Sequence, residues 1–124
     1  MKLSDGTSIP MVSYILFVDR LCSSADPFKQ LGFGTGTAWY KTGDESQLDQ
    51  TCIDSAKTAI GLGYHHLDGA EIYKTETELG TAIKQSGVAR EKLYITTKVL
   101  PNIDDIPAAL NTSLKKLGVD HVDL

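Results

Sequence analysis

Cysteine, tryptophan and basic residues are scarce in this chain: of 124 residues, two are Cys and one is Trp, and 12 Lys+Arg face 16 Asp+Glu for a formal charge of −4. Cys22 and Cys52 provide neither a disulfide framework nor a metal-ligand spacing, so a reducing, cytoplasmic setting is expected. No basic run is longer than Lys115-Lys116. A net-acidic surface without a basic block leaves little to neutralise a phosphate backbone, which argues against a nucleic-acid partner. The most apolar stretch, residues 11–18, falls far short of the roughly 20 residues that a spanning helix requires, and Asp19 and Arg20 close it. Neither a membrane partner nor a signal peptide is expected.

What is present reads as alternating strands and helices. Asp5-Gly6 between two short apolar pieces predicts a hairpin over residues 2–10. Residues 31–37 begin as a buried strand and pass into a Gly/Thr loop that runs to about Ser46. Ser46 and Asp49 have capping-box spacing, and Leu48, Cys52, Ile53, Ala56, Ala59 and Ile60 then recur at helical intervals up to Gly61 and Gly63. A strand over 64–68 is followed by a helix that Thr75 and Glu78 open and Gly87 closes. The next strand is 93–97, and Asp104 or Asp105 caps a third helix with Pro107 in its first turn, Ile106, Ala109, Leu110, Ser113, Leu114 and Leu117 along one side, and Gly118 at its end. His121 to Leu124 begins a further strand. Helices of this length suit parallel crossovers, so the expected class is α/β.

Three side chains carry the chemistry. Asp68 ends the second strand, Tyr73 follows in the next loop and Lys98 ends the third strand. In a (β/α) barrel, side chains at the C-terminal ends of parallel strands converge on one mouth. There an ammonium favours a phenolate over its phenol and a carboxylate holds the ammonium, which makes a proton-donating device. Other arrangements are weaker. Gly32, Gly34 and Gly36 are one residue short of the dinucleotide fingerprint, and no helix opens on the last glycine. His65 and His66 are adjacent, so a strand sends them to opposite faces, and they read as structural histidines with no metal site.

Taken together, Leu31-Gly32-Phe33-Gly34-Thr35, Asp68-Gly69-Ala70-Glu71-Ile72-Tyr73 with Glu76, Glu78 and Gly80, Ile95-Thr96-Thr97-Lys98-Val99, and Ser113-Leu114-Lys115-Lys116-Leu117-Gly118 with Val122-Asp123-Leu124 resemble the aldo-keto reductase family in order and spacing. The resemblance implies the N-terminal part of a (β/α)8 TIM barrel that binds NADPH, or in some members NADH, and reduces a small-molecule carbonyl substrate to an alcohol. It implies Tyr73 as proton donor, Lys98 as the amine that tunes it, and Asp68 as the carboxylate paired with that lysine and near the cofactor. Gly34, Thr35 and Gly36 match the loop beside the nicotinamide, although many members carry an aromatic residue where Gly36 stands. Trp39 and Tyr40 are expected near the substrate opening. A regulatory subunit that holds the cofactor without turnover, or a non-functional truncated product, is the alternative reading.

Two features depart from the family pattern. Residues 12–30 interrupt the passage from Ile9-Pro10-Met11 to Leu31, and a retained intron or other insertion is expected there, since Val12-Ser13 and Gln30 can be encoded by intron-boundary triplets. A barrel also needs roughly 250 residues. The 124 residues are therefore expected to form an incomplete barrel, prone to aggregation at its open sheet edges and inactive in isolation.

Overall fold

The computed structural model describes residues 31–124; the expected hairpin and the 12–30 segment lie outside the described residues. Three short strands, β1 (Gly32–Gly34), β2 (His66–Asp68) and β3 (Tyr94–Thr96), pair in parallel in the order β1-β2-β3. Helices α1 (Gln50–Gly61), α2 (Glu76–Ser86) and α3 (Ile106–Leu117) follow them in alternation. This is the α/β order expected from the periodicity.

Register assigns the two faces of the sheet. Phe33, Leu67 and Ile95 are paired across it, as are Gly34, Asp68 and Thr96. Side chains alternate along a strand, so the first row faces the helices and the second faces away from them. Leu67 and Ile95 are completely buried against Ile53, Ala56 and Ile60 of α1 and Leu79, Ala82 and Ile83 of α2, with Leu117 of α3 closing the cluster. Each Leu or Ile among them contributes about 1.5–3 kcal/mol by leaving water. The apolar faces read from the sequence are largely these, but Leu48 and Ile106 are exposed: Leu48 precedes the first turn of α1, and Ile106 lies at the start of α3, beyond the sheet's cover.

Helix ends show where local signals lose to distant partners. Asp49, not Ser46, caps α1, accepting from the Cys52 N–H at 3.0 Å, while the Ser46 N–H donates to Asp44. Thr75 is the N-cap residue of α2, as expected, but neither its side chain nor that of Glu78 caps the helix. The Thr75 hydroxyl donates to Thr35 Oγ1 at 2.8 Å, and Glu78 accepts from Lys41 and from the Asp49 N–H. At α3 the expectation holds: Asp105 accepts from the Ala108 N–H at 3.1 Å, and Gly118 ends the helix at φ 67°.

The strand expected at His121 to Leu124 does not form. These residues run beside β3, with Asp123 N–H donating to Ile95 O and Thr97 N–H to Leu124 O. The Ile95 N–H, which a strand carbonyl would receive, goes instead to the Asp123 carboxylate at 2.7 Å, and Arg90 binds that same carboxylate at 2.7 Å. A side chain thus takes the place of a ladder bond. No helix among the described residues is long and apolar enough to cross a membrane.

Gly80 lets α2 and α3 approach. A Cβ on it would stand 2.5 Å from the Leu117 carbonyl oxygen and 2.6 Å from that of Lys116, both backbone atoms. Gly→Ala in an open helix gains about 1 kcal/mol, but overpacking against backbone costs about 1–3 kcal/mol and pushes two helices apart. Gly80→Ala is therefore expected to lower the denaturant midpoint, with an unchanged or higher midpoint as the contrary result.

His66 projects from β2 on the face away from the helices, only 6% exposed, with Nε2 3.0 Å from Thr96 Oγ1 and its ring edge-on to Tyr94. Burial, with the Lys98 charge adding to it and the Asp68 carboxylate opposing, holds its imidazole below the ordinary value. Below about pH 6.5 the unfolded chain takes up a proton that the folded chain resists. The His66 contribution to stability is therefore present above that pH and lost as the pH falls through the folded-state value. Unfolding midpoints measured between pH 7.5 and 5 should fall on acidification, and less steeply in His66→Gln.

Candidate active site

The tips of β2 and β3 are tied together beyond the ladder. Gly69 N–H donates to Thr96 O at 2.9 Å and Glu71 N–H to Lys98 O at 3.0 Å, which extends the pairing to Lys98 itself. The Lys98 ammonium then bonds both Asp68 carboxylate oxygens at 2.7 Å and the Gly69 carbonyl at 3.0 Å. Three acceptors match the three N–H bonds of an ammonium. The Glu71 carboxylate reaches forward to the Asn102 side chain and the Leu100 N–H, joining the two loops a second time.

Tyr73 ends a single 3-10 turn, Glu71–Tyr73, which Lys74 closes in the left-handed region at φ 57°. Its carbonyl accepts from the Lys41 N–H at 3.2 Å, and the Lys74 ammonium donates to Gly43 O at 3.0 Å, so the loop after β1 is stitched to it. The Lys98 nitrogen lies 5.1 Å from the centroid of the Tyr73 ring. Tyr73, Lys98 and Asp68, predicted from separate stretches of sequence, are therefore neighbours. The Lys98 and Asp68 side chains stay 46% and 35% exposed, open to anything arriving at this edge of the sheet.

The other predicted residues divide. Gly34 is exposed at the tip of β1, and a Cβ there would meet only Asp68, at 3.9 Å. Thr35 is fully buried, its hydroxyl taken by Thr75 and its N–H by Asp68 O, so it braces the loop from behind. Gly36 lies against the Tyr73 ring. Tyr40, 42% exposed, brings its ring to 6.1 Å from that of Tyr73. Trp39 instead packs on Phe33, at 5.6 Å between centroids, and Phe33 belongs to the helix-facing row.

Two carboxylates that the sequence reading placed in the family motif, Glu76 and Glu78, are buried, which it did not anticipate. Glu78, wholly buried, pairs with Lys41 from the loop after β1, and Glu76, 1% exposed, accepts from the Thr97 hydroxyl at 2.6 Å. Both sit in the first turn of α2, where the motif Glu-x-Glu resembles an ordinary solvated helix start. The one available signal was their placement on the face that also carries Leu79 and Gly80. Cys52 is inert by environment: burial, with Glu78 and Asp49 adding repulsion, pushes its thiol up to about 12. Among the described residues no group of His, Cys, Asp and Glu could hold a metal ion.

The family model described as "Aldo/keto reductase family" matches residues 30–124. The chain is 48% identical over 92 residues to an NAD/NADP-dependent indole-3-acetaldehyde reductase of Schizosaccharomyces pombe, covering 74% of this chain and 32% of the relative. It is 41% identical to an aldehyde reductase of Saccharomyces cerevisiae, covering 100% of this chain and 31% of that protein. Its fold matches the crystal structure of a Bombyx mori aldo-keto reductase in complex with NADP, with a TM-score of 0.68 at 32% identity over 98% of this chain and 35% of the other. The chain thus spans about a third of the length of these relatives. The relatives form TIM barrels of which this sheet corresponds to an N-terminal part, and by motif, fold and sequence the chain belongs to the aldo/keto reductase family.

Proposed function

We propose that Tyr73, Lys98 and Asp68 are the proton-delivering set of a reductase that converts aldehydes to alcohols with NADPH or NADH, in the protein of which this chain is the N-terminal barrel portion. One observation carries the reading: an ammonium held by a carboxylate at 2.7 Å lies 5.1 Å from the centre of a tyrosine ring, at the open edge of a parallel sheet. Substrate and cofactor classes are drawn from the aldehyde reductases and the NADP complex to which the chain is similar.

The residues present suit a nicotinamide cofactor. At Gly34 the rim is bordered only by Asp68, 3.9 Å from where a Cβ would stand, and the partly exposed Asp68 carboxylate can still accept from a hydroxyl. Gly34, Gly36 and Asp68 would border the nicotinamide end, with Thr35 supporting the loop from beneath. When bound, the reduced cofactor supplies a hydride. Tyr73 donates its hydroxyl proton to the carbonyl oxygen as a hydrogen is gained at the carbonyl carbon, leaving an alcohol and a phenolate that solvent reprotonates. Lys98 attracts the charge left on that phenolate, and Asp68 keeps the lysine from turning out into water. Tyr40 offers the substrate an aromatic wall beside Tyr73.

General acid catalysis is worth about 10²–10⁴-fold. In the full-length protein, Tyr73→Phe is expected to reduce aldehyde-dependent NADPH oxidation by at least 100-fold while cofactor binding, followed by fluorescence quenching, changes little; retention of a tenth of the activity would refute the assignment. The 124-residue chain alone should oxidise no NADPH with a reactive aldehyde. Turnover by that chain, lost in Tyr73→Phe, would show the opposite.

A further inference from the structure

Lys98 lies two residues beyond Thr96, where β3 ends, and the loop after β2 gives its main chain one bond, from the Glu71 N–H to the Lys98 carbonyl. The residue between, Thr97, is fastened from other sides. Side chains alternate, so Thr97 continues the row of Ile95 towards the helices while Lys98 points to the opposite face. On the helix side the Thr97 hydroxyl donates to Glu76 Oε1 at 2.6 Å, and the Thr97 N–H donates to Leu124 O at 2.9 Å. Glu76 is thus the side chain that ties the tip of β3 to the start of α2.

Stability alone does not account for a carboxylate here. Glu76 is 1% exposed, and its second oxygen, Oε2, is buried without a hydrogen-bond partner among the described residues. An unpaired buried acceptor costs folding free energy. What burial adds is a fixed anchor, because α2 is locked in the core through Leu79, Ala82 and Ile83. The lysine needs such an anchor. Its stem is a flexible four-carbon chain and its side chain is 46% exposed, so its bonds to Asp68 and Gly69 form only when the main chain at position 98 starts from the right place.

We infer that Glu76 is a positioning residue for the reaction: through the Thr97 hydroxyl it sets the tip of β3, and with it the place of the Lys98 ammonium beside Tyr73. The inference rests on the proposed function. Misplacing a group in the site by about 1 Å can cost about 100-fold, and Lys98 acts one step from the reacting atoms, so about tenfold is expected. In the full-length protein Thr97→Val, which exchanges the hydroxyl for a methyl group, should lower kcat by that factor while KM for NADPH changes less than about twofold. Thr97→Ser keeps the donor, and Glu76→Gln keeps a group that can accept from the hydroxyl or donate to it, so both should stay within about threefold of the parent. A tenfold loss in both of these as well would overturn the inference.

Activity and stability separate this role from a structural one. Thr97→Val strands a buried carboxylate and should lower the unfolding midpoint, whereas Glu76→Met/Thr97→Val removes both partners and should recover it, with kcat still reduced. Recovery of kcat together with the midpoint overturns the inference, as does an unchanged kcat in Thr97→Val. In a Lys98→Met background Thr97→Val should lower kcat no further; a second tenfold loss there would show that Thr97 acts on something other than the lysine. One readout needs no turnover. With lysine labelled by carbon-13 at Cε, and the Lys98 signal assigned by its loss in Lys98→Met, Thr97→Val should move that signal and Thr97→Ser should not; an unmoved signal overturns the inference. If Thr97→Val does not fold, the double variant takes its place, and failure of both to fold assigns the bond to the fold alone and overturns the inference. If the signal moves but Lys98→Met leaves turnover intact, the proposed function is what fails.

Discussion

The bond from Lys98 to Asp68 and Gly69 is the contact on which the site depends, and its energy explains little about the fold. Both side chains are substantially exposed, and exposed ion pairs contribute about 0–1 kcal/mol. A few buried leucines and isoleucines outweigh it several times over. Its effect is geometric: the ammonium uses its three donors on β2 and its exit loop, although Lys98 belongs to the end of β3. Charge is thereby fixed at one point between two strand tips, beside a ring delivered by the intervening loop.

Buried charge behind the loops holds that loop geometry in place. Glu78 joins α2 to Lys41 and to the Asp49 N–H, so a single carboxylate ties the loop after β1 to the beginnings of two helices. Glu76 grips Thr97, the residue before Lys98. Removing one partner of a buried pair strands the other and is costly, about 3–5 kcal/mol. The exposed pair therefore lies at the rim and the buried ones beneath it, so the groups at the rim remain accessible while their supports do not yield.

Periodicity made the three βα units legible, because apolar residues at 3.6-residue spacing had to face the sheet wherever they formed helices. Gly87, Gly118 and Asp105 ended or opened helices by local rules that no distant contact overrode. Where a residue had a better partner far along the chain, the local rule failed: Thr75 turned to Thr35, Glu78 to Lys41, and the Asp123 carboxylate replaced a strand carbonyl. Asp68, Tyr73 and Lys98 were legible because strand ends in a parallel sheet share one edge. Trp39 and Tyr40 are consecutive in sequence yet divide between Phe33 and Tyr73, and no spacing could have distinguished them.

Gly36 and Gly80 each lie against another part of the chain, and the two neighbours differ in kind. A Cβ on either would lie 2.5 Å from another atom, and neither has a left-handed backbone. At Gly80 the obstacle is main chain in the next helix, which cannot move without separating two elements, so the consequence of a side chain is global and is read in stability. At Gly36 the obstacle is the end of a single side chain that can rotate, and the consequence is local. The nature of the neighbouring atom decides whether a side chain at a glycine would be felt by two packed helices or by one ring. Since that atom lies 37 residues away in each case, Tyr73 for Gly36 and Leu117 for Gly80, composition and turn propensity carry no trace of the difference.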